Sequence, residues 1–477
     1  MSELRPLRLL NAVENGTVLG AELNTYLSDA GRLAEFTVLF SQRGQAKRIA
    51  NGQTTMTAIV NSIIATNAAF LQATSTNDTI VAAIVESALA MSTVSDSASV
   101  LQIVSDNTTS WSYFSGSIYY ESHIKKIISH LSGVDPSLYG STSLLILDPV
   151  SMGDISVSER GMRALVNSLP TVTIMAGDSV AMALVAADTT AITLVAQNTS
   201  IMPTIANNVE AMDEIVSRSV ATALMASNAG AIQSIANNST AWANYLTAPT
   251  FSANLKNIIA NIVGLNASDY ADVTAIFANE TASLAVAGNQ AAMQAVLSDS
   301  ASIATLIASD NLDTVLGSSV AMTEIAGSES TMNTLMSNSV AFPIVLTSAL
   351  AKAAIFASPT LLSTMLTPSS DSLATVQALA QTKVGPTPDT SIGSFQSLGL
   401  SGNVIILTAV MGSIVGTLLD NYFKGDTGPT DTFGCPGVQA AVPPTAVNKG
   451  YTNVVWDVNS IAATAAAKVT VTYVDFN

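Results

Sequence analysis

The sequence predicts a mainly α fold: a solenoid of short helices built from ten-residue repeats, with a small C-terminal β-domain, α+β overall. Three observations predict it. Asp, Asn and Ser recur every ten positions, each followed at fixed spacing by an Ala-Met-x-x-Ile pattern. The 477 residues are 48% hydrophobic yet only 5% aromatic and 11% charged, so the apolar material is aliphatic and plentiful enough for a long core. The C-terminal stretch abandons the ten-residue frame for alternating Val, Thr and Tyr.

The frame is clearest in the middle of the chain. Met182, Ile192, Met202, Met212, Thr222, Ile232 and Trp242 stand ten apart, with Val185, Val195, Ile205, Ile215, Met225, Ile235 and Tyr245 three further on. Ala precedes each of the first set except Met202, which follows Ile201. Four positions before them lie Asp178, Asp188, Asn198, Asn208, Arg218, Asn228 and Asn238. The frame also runs through Asn77, Ser87, Ser97 and Asn107, and returns at Asn289 and Asp299. After a one-residue slip near Asp310 it resumes with Ser318, Ser328, Asn338, Ser348 and Ser358.

The chemistry of each repeat is that of a capped helical turn or two. Asp, Asn and Ser accept a hydrogen bond from an orphan N–H at a helix start. Apolar residues three and four apart share one helix face. Helices this short do not persist alone, because nucleation is costly, so neighbours must share a core as in a solenoid. A coiled coil needs a seven- or eleven-residue period. A β-solenoid calls for β-branched core residues rather than Ala and Met.

Taken in order, residues 1–50 read as an N-terminal docking region, helical from about Gly20 to Ala50. Residues 51–366 form the repeat array. Two larger modules interrupt it near 111–177 and 242–288. Trp111–Tyr139 aligns without gaps on Trp242–Tyr270, an offset of 131, with Lys125/Lys256, Ile127/Ile258, Ile128/Ile259, Gly133/Gly264 and Ser137/Ser268 identical. Residues 367–397, rich in Pro, Ser, Thr and Gly, read as a linker. Residues 398–477 read as the β-domain.

Composition excludes some functions. Seventeen basic against 34 acidic residues give a net charge of −17, which disfavours nucleic-acid binding. Residues 1–50 alone carry about +1 (Arg5, Arg8, Arg32, Arg43, Lys47 and Arg48 against five acids), and the remainder −18. The basic head suits docking to an acidic partner, or is a solvated helix face. Cys435 is the only cysteine, so neither an intrachain disulfide nor a cysteine zinc site is expected. No signal peptide is visible at the N-terminus. Ser401–Leu419 is uncharged and just long enough to span a bilayer, but its Gly and β-branched residues favour two buried strands.

Catalytic motifs are sparse. Gly177-Asp178-Ser179 mimics an esterase nucleophile block, but Asp178 falls in the cap frame and no histidine follows it. His123 and His130 lie seven apart beside Lys125 and Lys126, and read as one polar helix face. Sequons at Asn77, Asn107, Asn198 and Asn238 are cap positions. Those at Asn15, Asn266 and Asn279 fall outside the frame. Tyr422, Phe423, Tyr451, Trp456 and Tyr473 are aromatic candidates for glycan or protein contact, or for the core of the β-domain. No catalytic, cofactor-binding or metal-binding residue and no cofactor is expected.

The stretch Leu27–Ile59 (LSDAGRLAEFTVLFSQRGQAKRIANGQTTMTAI), followed by Ser/Asn-x-x-Ala-Met-x-x-Ile decapeptides, resembles repeat proteins of tailed-bacteriophage virions. The likeness covers roughly residues 18–366. It implies a tail, collar or head fibre: an N-terminal part anchored to other virion proteins, a repetitive shaft and a distal β-domain meeting a host glycan or protein. A homo-oligomer is expected, a trimer by preference, with no membrane span. A bacterial surface-layer or adhesin protein is the alternative. A hydrolase carried on a fibre is a third.

Overall fold

The computed structural model describes residues 4–18, 20–27, 29–60, 77–367, 371–384, 396–397, 403–411, 418–424, 431–433, 445–452, 455–460 and 469–475. The chain is mainly helical and divides into two compact units, Met1–Asn254 and Leu255–Asn477.

The cap frame is borne out almost position by position. The Asp178 carboxylate accepts the Ala181 N–H at 2.8 Å and opens the helix Ser179–Ala187. Asp188 does the same for Thr189–Gln197, Asn208 for Val209–Val216, and Asn228 for Ala229–Ala236. Ser87, Ser97 and Asn107 cap the earlier helices, and Asn289, Asp299, Ser318, Ser328, Ser348 and Ser358 the later ones. In the middle of the chain two positions break the rule: Met202–Ala206, after Asn198, starts with no side-chain cap, and so does Ser219–Ser227, after Arg218. The Arg218 guanidinium reaches Glu214 instead, at 3.7 Å. Two sequons set outside the frame are caps as well. Asn279 accepts the Ala282 N–H, and Asn266 that of Ser268.

Burial follows the frame and adds one position to it. Ala181, Met182 and Val185 are buried as their spacing requires, and so is Ala186. Ala191, Ile192, Val195 and Ala196 repeat the set. Four buried positions per decapeptide, two of them usually Ala, let short helices approach closely. Thr222 occupies a core position and satisfies its hydroxyl against the Arg218 carbonyl (2.6 Å) and the Thr250 hydroxyl (2.9 Å).

Packing links each helix to its sequence neighbour and to the third helix along. In the first unit, Pro149–Val157 packs on Ser179–Ala187, which packs on Val209–Val216, which packs on Ser239–Tyr245. Thr189–Gln197 likewise packs on Ser219–Ser227. In the second unit, Glu280–Ala287 meets Leu312–Leu316, and Gln290–Leu297 meets Ser319–Gly327.

Several cap side chains close two helix ends at once. The Ser318 hydroxyl accepts from Ala321 N–H at 3.3 Å and donates to the Ala287 carbonyl at 2.6 Å, the last residue of Glu280–Ala287. Ser348 accepts from Ala351 and donates to Leu316 at 2.7 Å. Ser158 joins Gly161 to Leu131, and Ser87 joins Ala90 to Ala50. The Asn198 amide donates to Val166 at 2.7 Å. An orphan donor at one helix start and an orphan carbonyl at an earlier helix end are thus satisfied by one side chain.

Residues 1–50 hold more helix than expected, beginning at Leu4–Glu14. Arg48 bonds Glu14 and Asn11, tying Arg43–Asn51 to that first helix. Phe36 and Phe40 stand edge to face beneath it, ring centres 6.1 Å apart. In the stretch read as a linker, the described residues include a helix, Asp371–Ala378, and strand β1, Gln381–Val384. The remaining strands are β2 (Gln396–Ser397), β3 (Asn403–Met411), β4 (Leu418–Lys424), β5 (Asp431–Phe433), β6 (Thr445–Thr452), β7 (Val455–Ser460) and β8 (Val469–Asp475). They pair antiparallel in the orders β1-β8-β3-β6 and β2-β7-β4-β5. Val404–Leu407 in β3 are buried. The described part of the apolar stretch 401–419 is therefore strand. Among the described residues no single helix is long and apolar enough to cross a membrane.

Candidate functional site

Three places were marked by sequence: the duplicated modules, the scattered polar residues, and the basic head. The duplication holds at the level of backbone. Gly133 (φ 80°) and Gly264 (φ 76°) occupy the same offset of 131 and both adopt the left-handed conformation. That conformation ends Tyr120–Ser132 at Gly133, as a glycine C-cap should. Each is followed by a 3₁₀ turn, Pro136–Leu138 and Ala267–Asp269, capped by Asp135 and Asn266.

The aromatic clusters also correspond, with the hydroxyl moved. Trp111, Phe114 and Tyr120 gather at 5.9 to 6.1 Å between ring centres. Their counterparts are Trp242, Tyr245 and Phe251, at 6.1 and 6.5 Å. In both clusters the one tyrosine hydroxyl donates to a backbone carbonyl: Tyr120 to Ala164 at 2.9 Å, Tyr245 to Thr222 at 2.7 Å. Burial raises both phenols well above their ordinary pKa, so both stay protonated as donors. The two indole N–H groups, Trp111 and Trp242, are buried without a hydrogen-bond partner among the described residues. These clusters anchor the modules to adjoining helices. Sequence alignment marked the tryptophans but not the exchange of Phe for Tyr.

The scattered residues do not converge. Asp178 is committed to its cap. His123 and His130 lie half-buried on one helix, Tyr120–Ser132, on either side of the Lys126–Asp96 ion pair. Burial lowers the pKa of each. For His123 Lys126 adds to the lowering and Asp96 opposes it. For His130 Asp96 and Asp135 oppose it and Lys126 adds to it. Among the described residues no group of three or more His, Cys, Asp or Glu is placed to hold a metal. Cys435 lies outside the described residues. Phe423 and Trp456 are register neighbours on β4 and β7, and Tyr422 faces Asp457 there. Tyr451 pairs with Val404. The Tyr473 hydroxyl, on β8, donates to Gln381 on β1 at 3.1 Å, consistent with a structural rather than a free aromatic.

The basic head holds an open concave feature. Arg5 and Arg8 from the first helix and Arg32 from Ala30–Ser41 line an open cleft of about 600 Å³, with Tyr26, Asp29 and Glu35 on its walls. Arg32 lies over the Tyr26 ring, 5.3 Å from its centre. The Tyr26 hydroxyl donates to Glu35 at 3.3 Å, and partial burial with the Glu35 charge raises its pKa. Asp29 accepts the Arg32 backbone N–H at 3.0 Å as the cap of its helix. Sequence gave the charge of this region but not its concavity, because the helix Leu4–Glu14 carrying Arg5 and Arg8 was not foreseen. Compared with protein-family models and with curated proteins, the chain matches none.

Proposed function

We propose that the chain is a non-enzymatic structural subunit of a bacteriophage virion appendage, a tail, collar or head fibre. In this reading the short helices continue as a solenoid that serves as the shaft. Residues 1–50 dock to other virion proteins. The strands of 398–477 make a small β-domain for contact with a host-surface glycan or protein, or with a neighbouring subunit. The protein acts as a homo-oligomer, with a trimer preferred.

The observation that supports it most is the use of polar residues. Cap side chains recur every ten residues and reach from one helix to the end of an earlier one, as Ser318, Ser348 and Ser158 do. Such an array grows by adding identical steps, which suits a part whose task is to set a distance. The resemblance of Leu27–Ile59 and the decapeptides to phage virion proteins supplies the setting. The test is mass spectrometry of purified particles produced with the full chain and with residues 1–50 deleted. The full chain should co-purify with particles, and the deletion should abolish incorporation while circular dichroism of the free protein stays helical. Normal incorporation of the deletion would sink the docking assignment. Absence of the full chain from particles would sink the virion reading.

A further inference from the structure

We propose that the cleft between the helices Leu4–Glu14 and Ala30–Ser41 binds an acidic peptide segment of a partner protein, held by carboxylate contacts to Arg5, Arg8 and Arg32. This rests on the docking role of residues 1–50 and names the chemistry of what docks there.

Three features argue for it. First, none of the three guanidiniums has a carboxylate within ion-pair distance among the described residues, whereas Arg48, Arg160, Arg163 and Arg218 each have one. The two acids in the cleft hold other hydrogen bonds, Asp29 with the Arg32 backbone N–H and Glu35 with the Tyr26 hydroxyl, and three guanidiniums against two carboxylates leave the cleft cationic. Guanidiniums present a planar fork suited to carboxylates. Second, the cleft is the right size and character. Its volume of about 600 Å³ exceeds a single small anion, and Tyr26 under Arg32 supplies an aromatic wall for side chains beside the charges. Third, charge elsewhere favours this place. The chain beyond residue 50 carries −18 against about +1 for residues 1–50, so long-range attraction of an acidic segment favours the head. The same −18 argues against a long nucleic acid, which carries a negative charge at every phosphate and needs a cationic surface to match.

The test uses the full chain and a fluorescein-labelled peptide of alternating Glu and Ala, followed by anisotropy at low salt. Saturable binding that weakens as salt is added is expected. The triple variant Arg5→Gln, Arg8→Gln, Arg32→Gln should weaken it about tenfold with unchanged circular dichroism. The single variant Arg8→Glu should weaken binding, while Arg43→Glu, the same charge change outside the cleft, should not. Equal losses for Arg8→Glu and Arg43→Glu would overturn the site in favour of bulk charge. So would peptide binding unaffected by the triple variant, or no saturable binding at all. Displacement of the peptide by an equal concentration of inorganic phosphate would make this a small-anion site. Tighter binding of a single-stranded oligonucleotide would make it a nucleic-acid site. Either result rejects the peptide. These readings do not depend on particles. If the peptide binds and the chain is absent from virions, the virion reading fails alone. If the chain is in virions and the peptide does not bind, the cleft assignment fails alone.

Discussion

Ser318 offers the sharpest test of how the helices are joined. Its oxygen accepts one hydrogen bond from Ala321 N–H, and its proton goes to the Ala287 carbonyl. Ser318→Ala removes both. The lost cap costs about 1 kcal/mol. The lost donor costs about 1 kcal/mol more, because the carbonyl it served is left without that partner. The sum, about 2 kcal/mol, predicts roughly thirtyfold faster amide exchange in both Glu280–Ala287 and Ser319–Gly327 if these open as one local unit. Ser318→Asp separates the two roles. A carboxylate is a good cap and suits a helix N-terminus, but it has no proton to donate and sets a negative charge against the Ala287 carbonyl. It should therefore destabilise. Ser328→Asp is the control. Ser328 caps Thr331 at 3.4 Å, and its other contacts are the hydroxyls of Ser330 and Thr331, which can donate to a carboxylate. That change should be neutral or stabilising. Ser318→Asn should restore stability, since an Asn can accept at a helix start, as Asn208 does, and donate to an earlier carbonyl, as Asn198 does to Val166. Hydrogen exchange read by mass spectrometry on peptides from both helices decides it. Equal exchange in Ser318→Asp and Ser328→Asp would refute the double-closure argument.

Three other outcomes are expected. Arg218→Asn supplies the missing cap of Ser219–Ser227 at the loss of one weak ion pair, and should slow exchange in that helix by about fivefold, for ~1 kcal/mol. Tyr245→Phe removes the bond to the Thr222 carbonyl and should destabilise the first unit by about 1 kcal/mol in urea unfolding. Because the folded pKa values of Tyr120 and Tyr245 are raised, their contribution is complete below the unfolded tyrosine value near 10 and is lost as pH climbs above it. Melting of the Tyr245→Phe variant should accordingly fall less steeply in alkali than wild type. His123 and His130 have lowered folded pKa values, so the unfolded chain binds more protons. Stability they contribute above about pH 6.5 is lost as pH falls below it. The double variant His123→Gln, His130→Gln should flatten the decline in melting temperature between about pH 7 and 5, and an unchanged slope would contradict this.

Much of the helical fold was legible because its code is local. A cap residue, two apolar residues and a third one turn on are set by hydrogen bonding and helix geometry within ten residues, so Asp178, Met182 and Val185 could be read without tertiary knowledge. The fourth buried position, Ala186, was not, because Ala is equally at home on a helix surface, and only packing against another helix decides. The bonds from Ser318 to Ala287 and from Asn198 to Val166 were hidden for the same reason. A serine or asparagine at a cap announces its acceptor role to its own helix, but the carbonyl it serves lies some thirty residues earlier. Asn266 was set aside because it falls off the strict spacing, although its chemistry is that of any other cap, whereas Asn279 stands ten before Asn289 and belonged to the frame from the start. The head was the least legible part. Its acids and bases could be counted, yet the grouping of Arg5, Arg8 and Arg32 depends on two helices meeting, with no repeat to mark it.

The central claim is an array whose packing period is three decapeptides, since Pro149–Val157, Ser179–Ala187 and Val209–Val216 pack in succession. The most direct test is thermal melting, followed by circular dichroism, of two deletions. Removing residues 178–207 takes out one whole period and brings Pro149–Val157 onto Val209–Val216, helices of the same row. Removing residues 188–197 takes out a single decapeptide and gives the helices packed across the junction third-along partners other than their native ones. The longer deletion should melt within about 5 °C of the full chain, and the shorter one distinctly earlier. If the ten-residue deletion melts at or above the thirty-residue one, the three-helix period is wrong.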